Sequence, residues 1–175
     1  MIKSYIFDLF GTLAYSTNYK EIRELVGEDN EHLLVTKLED AIISEEKKKK
    51  LIQLYNNYDV HLFDDSERII DKLKKDFRIG MITNIYELNA IKFKEKYCEF
   101  LKKFDVVNLS CDVGLMKPDH RIFNNTLIEL CVKSDEAVMV GDKPKRDIIP
   151  AKELGMKTIL IDREKQRLEE LIWQT

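Results

Sequence analysis

Five short apolar runs, each set between helical stretches, constrain this chain more than any other feature. They are "SYIFDLF" at 4–10, "RIGMIT" at 78–83, "FDVVNLS" at 104–110, "AVMVGD" at 137–142 and "KTILID" at 157–162. Unbroken apolar runs of this length are typical of parallel strands covered by helices on both faces. Between them, apolar residues recur at helical spacing. In 65–77 these are Ile69, Ile70, Leu73 and Phe77, with Asp65 or Ser66 placed to cap the start. Further helices are predicted over 87–101, over 119–131 and over 145–155; the second has Ile122, Phe123, Leu127, Leu130 and Cys131 near one stripe. Gly155 suits a left-handed C-terminal cap, and Pro150 fits a first turn better than a helix middle. A last amphipathic helix at 163–174 carries the only tryptophan. Alternation of this kind predicts an α/β fold built on a doubly wound parallel sheet.

One interval breaks the rhythm. Residues 15–62 show no convincing strand, only helical patterns at 19–27 and 30–58. They read as a small helical cap inserted after the first strand, with 1–14 and 63–175 forming the α/β core domain. Ile22, Leu25, Leu33, Leu34, Leu38, Ile42 and Leu51 are the candidates for the apolar stripe that holds the cap down. Tyr55 and Tyr58 read as exposed aromatics available to a partner surface. The 175 residues suffice for one compact domain with such an insertion.

Composition narrows the function classes. A net charge of −3, from 29 basic and 32 acidic residues, offers no polybasic footprint for nucleic acid. The run "EEKKKKL" at 45–51 reads as a solvated helix face. No stretch reaches membrane-span length and no signal peptide is evident, so a cytoplasmic protein is expected, monomeric or homodimeric. Cys98, Cys111 and Cys131 lie far apart and read as reduced thiols, partly in the core. His32, His61 and His120 have no metal-ligand spacing and read as ordinary surface or loop residues.

In open α/β sheets, ligands bind beyond the carboxyl ends of the strands. This chain places Asp8 after the first strand, Thr83 and Asn84 after the second, Lys117 in the loop after the third, and Asp142 with Asp147 after the fourth. Singly, each has a plain structural role available: Thr83 a β-former, Lys117 a solvated loop lysine, Asp142 a turn residue, Asp147 a helix-start acid. Together they are three carboxylates, a hydroxyl and an ammonium converging from four segments. Three like charges within one site raise one another's pKa unless compensated. Lys117 supplies part of the compensation, and Mg²⁺ is the natural remainder, since it sits on one or two carboxylates plus phosphate oxygens.

The motifs "DLFGTL" (8–13), "MITN" (81–84), "VGLMKPDHRIF" (113–123) and "VGDKPKRDIIPAKELGM" (140–156) occur in order, each at a strand end. In this the chain resembles the haloacid dehalogenase superfamily, along most of its length outside 15–62. The resemblance implies a Rossmann-like fold and a hydrolase with Asp8 as nucleophile, attacking to give a covalent aspartyl intermediate. Thr83 would hydrogen-bond the transferring group, with Asn84 beside it shaping the loop at the phosphate site. Lys117 would pair with Asp8 and stabilise developing negative charge. Mg²⁺ would be held by Asp8, Asp142 and the backbone carbonyl of Phe10, with Asp147 as a ligand or as a group supporting the ligands.

Phe10 is the departure. Phosphatases of the family usually carry a second aspartate there as general acid and base, a contribution of typically 10²–10⁴-fold. A ring cannot protonate a leaving group, although its residue keeps the backbone carbonyl. The resemblance therefore implies, first, a Mg²⁺-dependent phosphatase of a small phosphorylated metabolite. A metal-independent 2-haloacid dehalogenase is the alternative, since that branch carries an aromatic here; Arg23 is then the nearest candidate for holding a substrate carboxylate. A protein of the same fold that acts by binding a partner is the third reading. The "GDKPKRD" segment, where dehalogenases carry a Ser-Asn type motif and no metal, and the lack of a clear match in 15–62 for their substrate-binding arginine favour the first.

Overall fold

The structure, a computed structural model, describes residues 1–17, 19–27, 33–36 and 39–172; the side chains of Tyr19 and Arg23 lie outside the described set. The expectations for Arg23, His32, Leu38 and the tryptophan at 173 therefore fall outside what is described. In chain order the elements begin with β1 (Ser4–Phe7), β2 (Ala14–Ser16), α1 (Tyr19–Val26), α2 (Glu45–Asn56), β3 (Val60–Leu62) and α3 (Ser66–Leu73). They continue with β4 (Arg78–Thr83), α4 (Glu87–Lys96), α5 (Cys98–Leu101), β5 (Val106–Leu109), α6 (Ser110–Val113) and α7 (His120–Glu129). The last are β6 (Ala137–Gly141), a π-helical turn (Pro144–Ile148), α8 (Ile149–Glu153), β7 (Lys157–Leu160) and α9 (Leu168–Ile172).

The five predicted strands form one parallel sheet in the order β5-β4-β1-β6-β7. β1 lies at its centre, with Phe7 in register with Met81 on one side and Val140 on the other. Alternation along β1 feeds both layers. Phe7 joins a large apolar cluster with Leu13, Ile70, Phe93 and Ile161, while Ile6 joins a second with Phe123, Leu127 and Met139. Helices on both faces explain why the strands read as continuous apolar runs.

Several helix expectations change in detail. The run 87–101 is split at Tyr97, whose hydroxyl donates to the Val60 carbonyl at 3.0 Å. Pro150 does sit in the first turn of α8, and Gly155 has φ +85°. Only 168–172 of the last segment is helical among the described residues, because Arg163 is drawn inward. Cys131 leaves the α7 stripe: it is exposed at φ +53°, and Cys98 is exposed too, so only Cys111 is even partly buried.

Residues 15–62 need a correction. β2 and β3 are strands, paired antiparallel with Tyr15 opposite His61, and they form a two-stranded ribbon that joins the two ends of 15–62. Three residues each are too few for an alternating pattern to be legible. Ile22, Leu33, Leu34 and Leu51 are buried in the same apolar cluster as Phe7 and Phe93, with Leu25 packed against it. Ile42 is 91% exposed and does not belong to the stripe. Tyr55 and Tyr58 are buried, not exposed. The Tyr55 hydroxyl donates to Asn89 Oδ1 at 2.6 Å and accepts from the Asn89 N–H at 2.7 Å. Among the described residues no helix is long and apolar enough to cross a membrane.

Candidate active site

Asp8 is the first residue past β1, and its N–H still donates to Val140 O at 2.9 Å. The chain then turns sharply, with the N–H groups of Leu13 and Ala14 both donating to Leu9 O at 2.8 Å. Gly11 permits that turn. Its φ is +83°, and a Cβ there would stand 2.3 Å from Asp142 Oδ2. Gly141 is required for a similar reason, since a Cβ would lie 2.5 Å from Asp147.

Lys117 joins the carboxylates. Its Nζ donates to Asp8 Oδ1 at 2.5 Å and to Asp147 Oδ1 at 2.6 Å, with all three residues buried. The loop that carries it is held by Asn84, whose Nδ2 donates to Lys117 O at 2.7 Å while Oδ1 accepts from the Lys117 N–H at 2.8 Å. One N–H of that amide is left over from this clamp. Asp147 Oδ2 accepts from the Lys143 N–H at 2.9 Å, and the π-helical turn brings Asp147 back beneath Gly141.

Asp8, Asp142 and Asp147 present oxygens that all lie within 4.8 Å of one another. Burial pushes the Asp8 carboxyl up to about 7, against the pull of Lys117, and its two acidic neighbours add to the rise. Asp142 is raised chiefly by burial, against Lys143, with which it is ion-paired. For Lys117, burial pulls the ammonium down, but Asp8 and Asp147 outweigh it and the net shift is upward.

Two buried atoms in this cleft have no protein partner: Asp142 Oδ1 and Thr83 Oγ1. Buried polar groups are nearly always paired, so each marks a place for something from solution. An acceptor oxygen within a carboxylate cluster suits a hard divalent cation, and a lone hydroxyl suits a phosphoryl oxygen. The residues present therefore fit Mg²⁺. The cleft is lined by Asp8, Phe10, Thr83, Asn84, Lys117 and Asp142, together with Lys143, Arg146 and Asp147. Every site residue named from the sequence lines it except Arg23, whose side chain lies outside the described set. Lys143 and Arg146 were missed as site residues, although both sit in the "GDKPKRD" segment. None of the described lining residues comes from 15–62.

The chain matches the haloacid dehalogenase-like hydrolase family over residues 2–161 and belongs to it. A relative named glyceraldehyde 3-phosphate phosphatase, from Methanothermobacter thermautotrophicus, is 33% identical over 167 residues, covering 87% of this chain and 71% of its own length. One of the same name from Methanocaldococcus jannaschii is 32% identical over 198 residues, covering 92% of this chain and 85% of its own. The solved structure of a family enzyme from Bacteroides thetaiotaomicron, in complex with magnesium and inorganic phosphate, matches with a TM-score of 0.73 at 19% identity, covering 97% of this chain and 99% of that one. At that identity the last likeness establishes the fold alone.

Proposed function

We propose that this hydrolase is a Mg²⁺-dependent phosphatase that cleaves a small phosphorylated metabolite through a phosphorylated Asp8. The observation that carries the reading is the Lys117 ammonium shared between Asp8 and Asp147, beside the unpartnered oxygens of Asp142 and Thr83. The names of the two archaeal relatives support the phosphatase class and a small phosphorylated substrate.

In this reading Asp8, Asp142 and the carbonyl of Phe10 hold the cation, with Asp147 as ligand or supporting group. When bound, the cation offsets charge on the phosphoryl oxygens and favours the ionised form of the carboxylates. Asp8 Oδ is the nucleophile. Lys117 holds it in place and, with the Thr83 hydroxyl and the remaining N–H of Asn84, faces the negative charge that develops on the phosphoryl group. Lys117, Lys143 and Arg146 match the three carboxylates charge for charge among the described lining residues. An entering phosphate would add about two negative charges, the charge that a bound divalent cation would offset.

Phe10 leaves the departing oxygen without an acid, which slows the reaction on poor leaving groups. The segment 15–62 is the proposed cap; its Ile22, Val26, Leu33, Leu51 and Tyr55 line a small apolar pocket with Tyr86 and Leu88. Phe10 also favours the dehalogenase reading, but a metal-free dehalogenase has no use for three clustered carboxylates. The deciding experiment measures release of phosphate from an aryl phosphate with and without Mg²⁺, and release of halide from 2-chloropropionate without metal. Phosphate release that requires Mg²⁺ is expected; metal-free halide release with no phosphatase activity would overturn the proposal.

A further inference from the structure

Arg163 lies in the segment after β7, far along the chain from Asp8, yet its guanidinium reaches the turn that follows Asp8. Its Nε donates to Thr12 O at 2.7 Å, 151 residues away in sequence. Its Nη1 donates to Asp65 Oδ2 at 3.0 Å, its Nη2 lies 2.8 Å from Asp65 Oδ1, and Nη2 donates to Ser66 Oγ at 3.3 Å. The Phe63 ring lies 4.4 Å below the guanidinium carbon. Ser66 Oγ in turn donates to Leu13 O at 2.7 Å, and the Phe63 N–H donates to the same carbonyl at 3.0 Å. One buried cation therefore ties the turn at 11–13 to the exit of β3 and the start of α3.

That turn rests on the cation site. Gly11 backs directly onto the Asp142 carboxylate, with no room for a side chain between them. Phe10, whose carbonyl is a proposed ligand, immediately precedes it. A rigid fork is needed here, because the Thr12 carbonyl, Asp65 and Ser66 are reached from one plane. An exposed or singly bonded arginine would leave the turn free to move away from Asp142.

We propose that Arg163 is a positioning residue of the cation site: by holding the Thr12 carbonyl it seats the Phe10–Gly11 backbone against Asp142 and so sets the affinity for Mg²⁺. This rests on the metal-dependent reading above. Groups hydrogen-bonded directly to a metal ligand change metal affinity by about 10–100-fold when altered; Arg163 acts through the Thr12 carbonyl, two residues from Phe10, so the lower end of that range is expected.

The test is calorimetric titration of MgCl₂ into metal-stripped wild type, Arg163→Lys and Asp65→Asn, with melting temperatures taken alongside. Arg163→Lys keeps a charge opposite Asp65 but cannot span all three partners, and it is expected to bind Mg²⁺ about tenfold more weakly. Asp65→Asn keeps the guanidinium on Thr12 and is expected to lower the melting temperature while leaving Mg²⁺ affinity unchanged. Wild-type affinity in Arg163→Lys, or an equal loss in Asp65→Asn, would overturn the inference while the phosphatase reading stands. Absence of Mg²⁺ binding in wild type would overturn both. Should Arg163→Lys not fold, Arg163→Gln combined with Asp65→Asn replaces the ion pair by a neutral pair, and is compared with Asp65→Asn alone for the same loss.

Discussion

Lys117 Nζ stands 2.5 Å from Asp8 Oδ1, although 109 residues separate them in the chain. The same ammonium reaches Asp147 at 2.6 Å, so one positive charge bridges both carboxylates. Lys117→Met leaves two buried acids facing each other without it. Breaking a buried pair in this way costs about 3–5 kcal/mol. Urea denaturation should show a loss of that order, with activity reduced to background, and added Mg²⁺ should restore part of the stability but none of the activity.

Asp8→Asn separates chemistry from stability. An amide is no nucleophile, so aryl phosphate turnover should vanish. The melting temperature should stay level or rise, because one of three mutually repelling carboxylates is removed while Lys117 keeps Asp147. An active Asp8→Asn variant would rule out the covalent mechanism.

Phe10 predicts a leaving-group preference. Aryl phosphates, whose phenolate leaves without help, should be cleaved far faster than alkyl phosphates. Phe10→Asp should raise alkyl turnover selectively, within the range of about 10²–10⁴-fold that acid–base catalysis contributes. Comparing kcat for the two classes in both proteins checks it, and equal rates on both in wild type would count against the role given to Phe10.

The Asp65–Arg163 pair makes a pH prediction. Burial pushes the Asp65 carboxyl up, but the Arg163 guanidinium and the N–H of Leu168 outweigh it and hold the group below its ordinary value. A depressed folded pKa contributes stability that is present above the unfolded value, about 3.9, and is lost as pH falls through the folded one. The gap in melting temperature between wild type and Asp65→Asn should therefore be wide at pH 7 and close below about pH 4. A constant gap across that range would show that the carboxyl is not depressed.

The proposed cap should open unevenly. Tyr55 is locked to Asn89, Lys92 donates to the Tyr55 carbonyl, and Lys96 donates to Val60 O at 2.8 Å, so α4 holds the end of α2 and β3. Hydrogen exchange should be faster in α1 than in β3, and faster in both than in β4 and β6, with slowing when Mg²⁺ and a phosphate mimic are added. Tyr55→Phe removes the hydroxyl from a buried pair and should cost about 1–3 kcal/mol. Uniform exchange across 15–62, unaffected by ligand, would mean the segment is a fixed wall.

Strand positions, the parallel sheet and the acids at the strand ends were legible in the sequence because they rest on local periodicity. A run such as "AVMVG" must be buried on both faces, and a polar residue closing it must lie at the sheet's carboxyl edge. Other features come from partners far apart in the chain, and no local pattern encodes them. Tyr55 and Tyr58 read as exposed aromatics, yet both are buried, Tyr55 against Asn89 of α4. β2 and β3 exist because each pairs with the other across more than 40 residues, not because three residues prefer a strand. Arg163 read as the first residue of an amphipathic helix; only the packing of β7 beside β6 carries it to Thr12 and Asp65. Periodicity reports which face of an element is buried, whereas the partner of a buried polar group depends on what the folded chain brings opposite it.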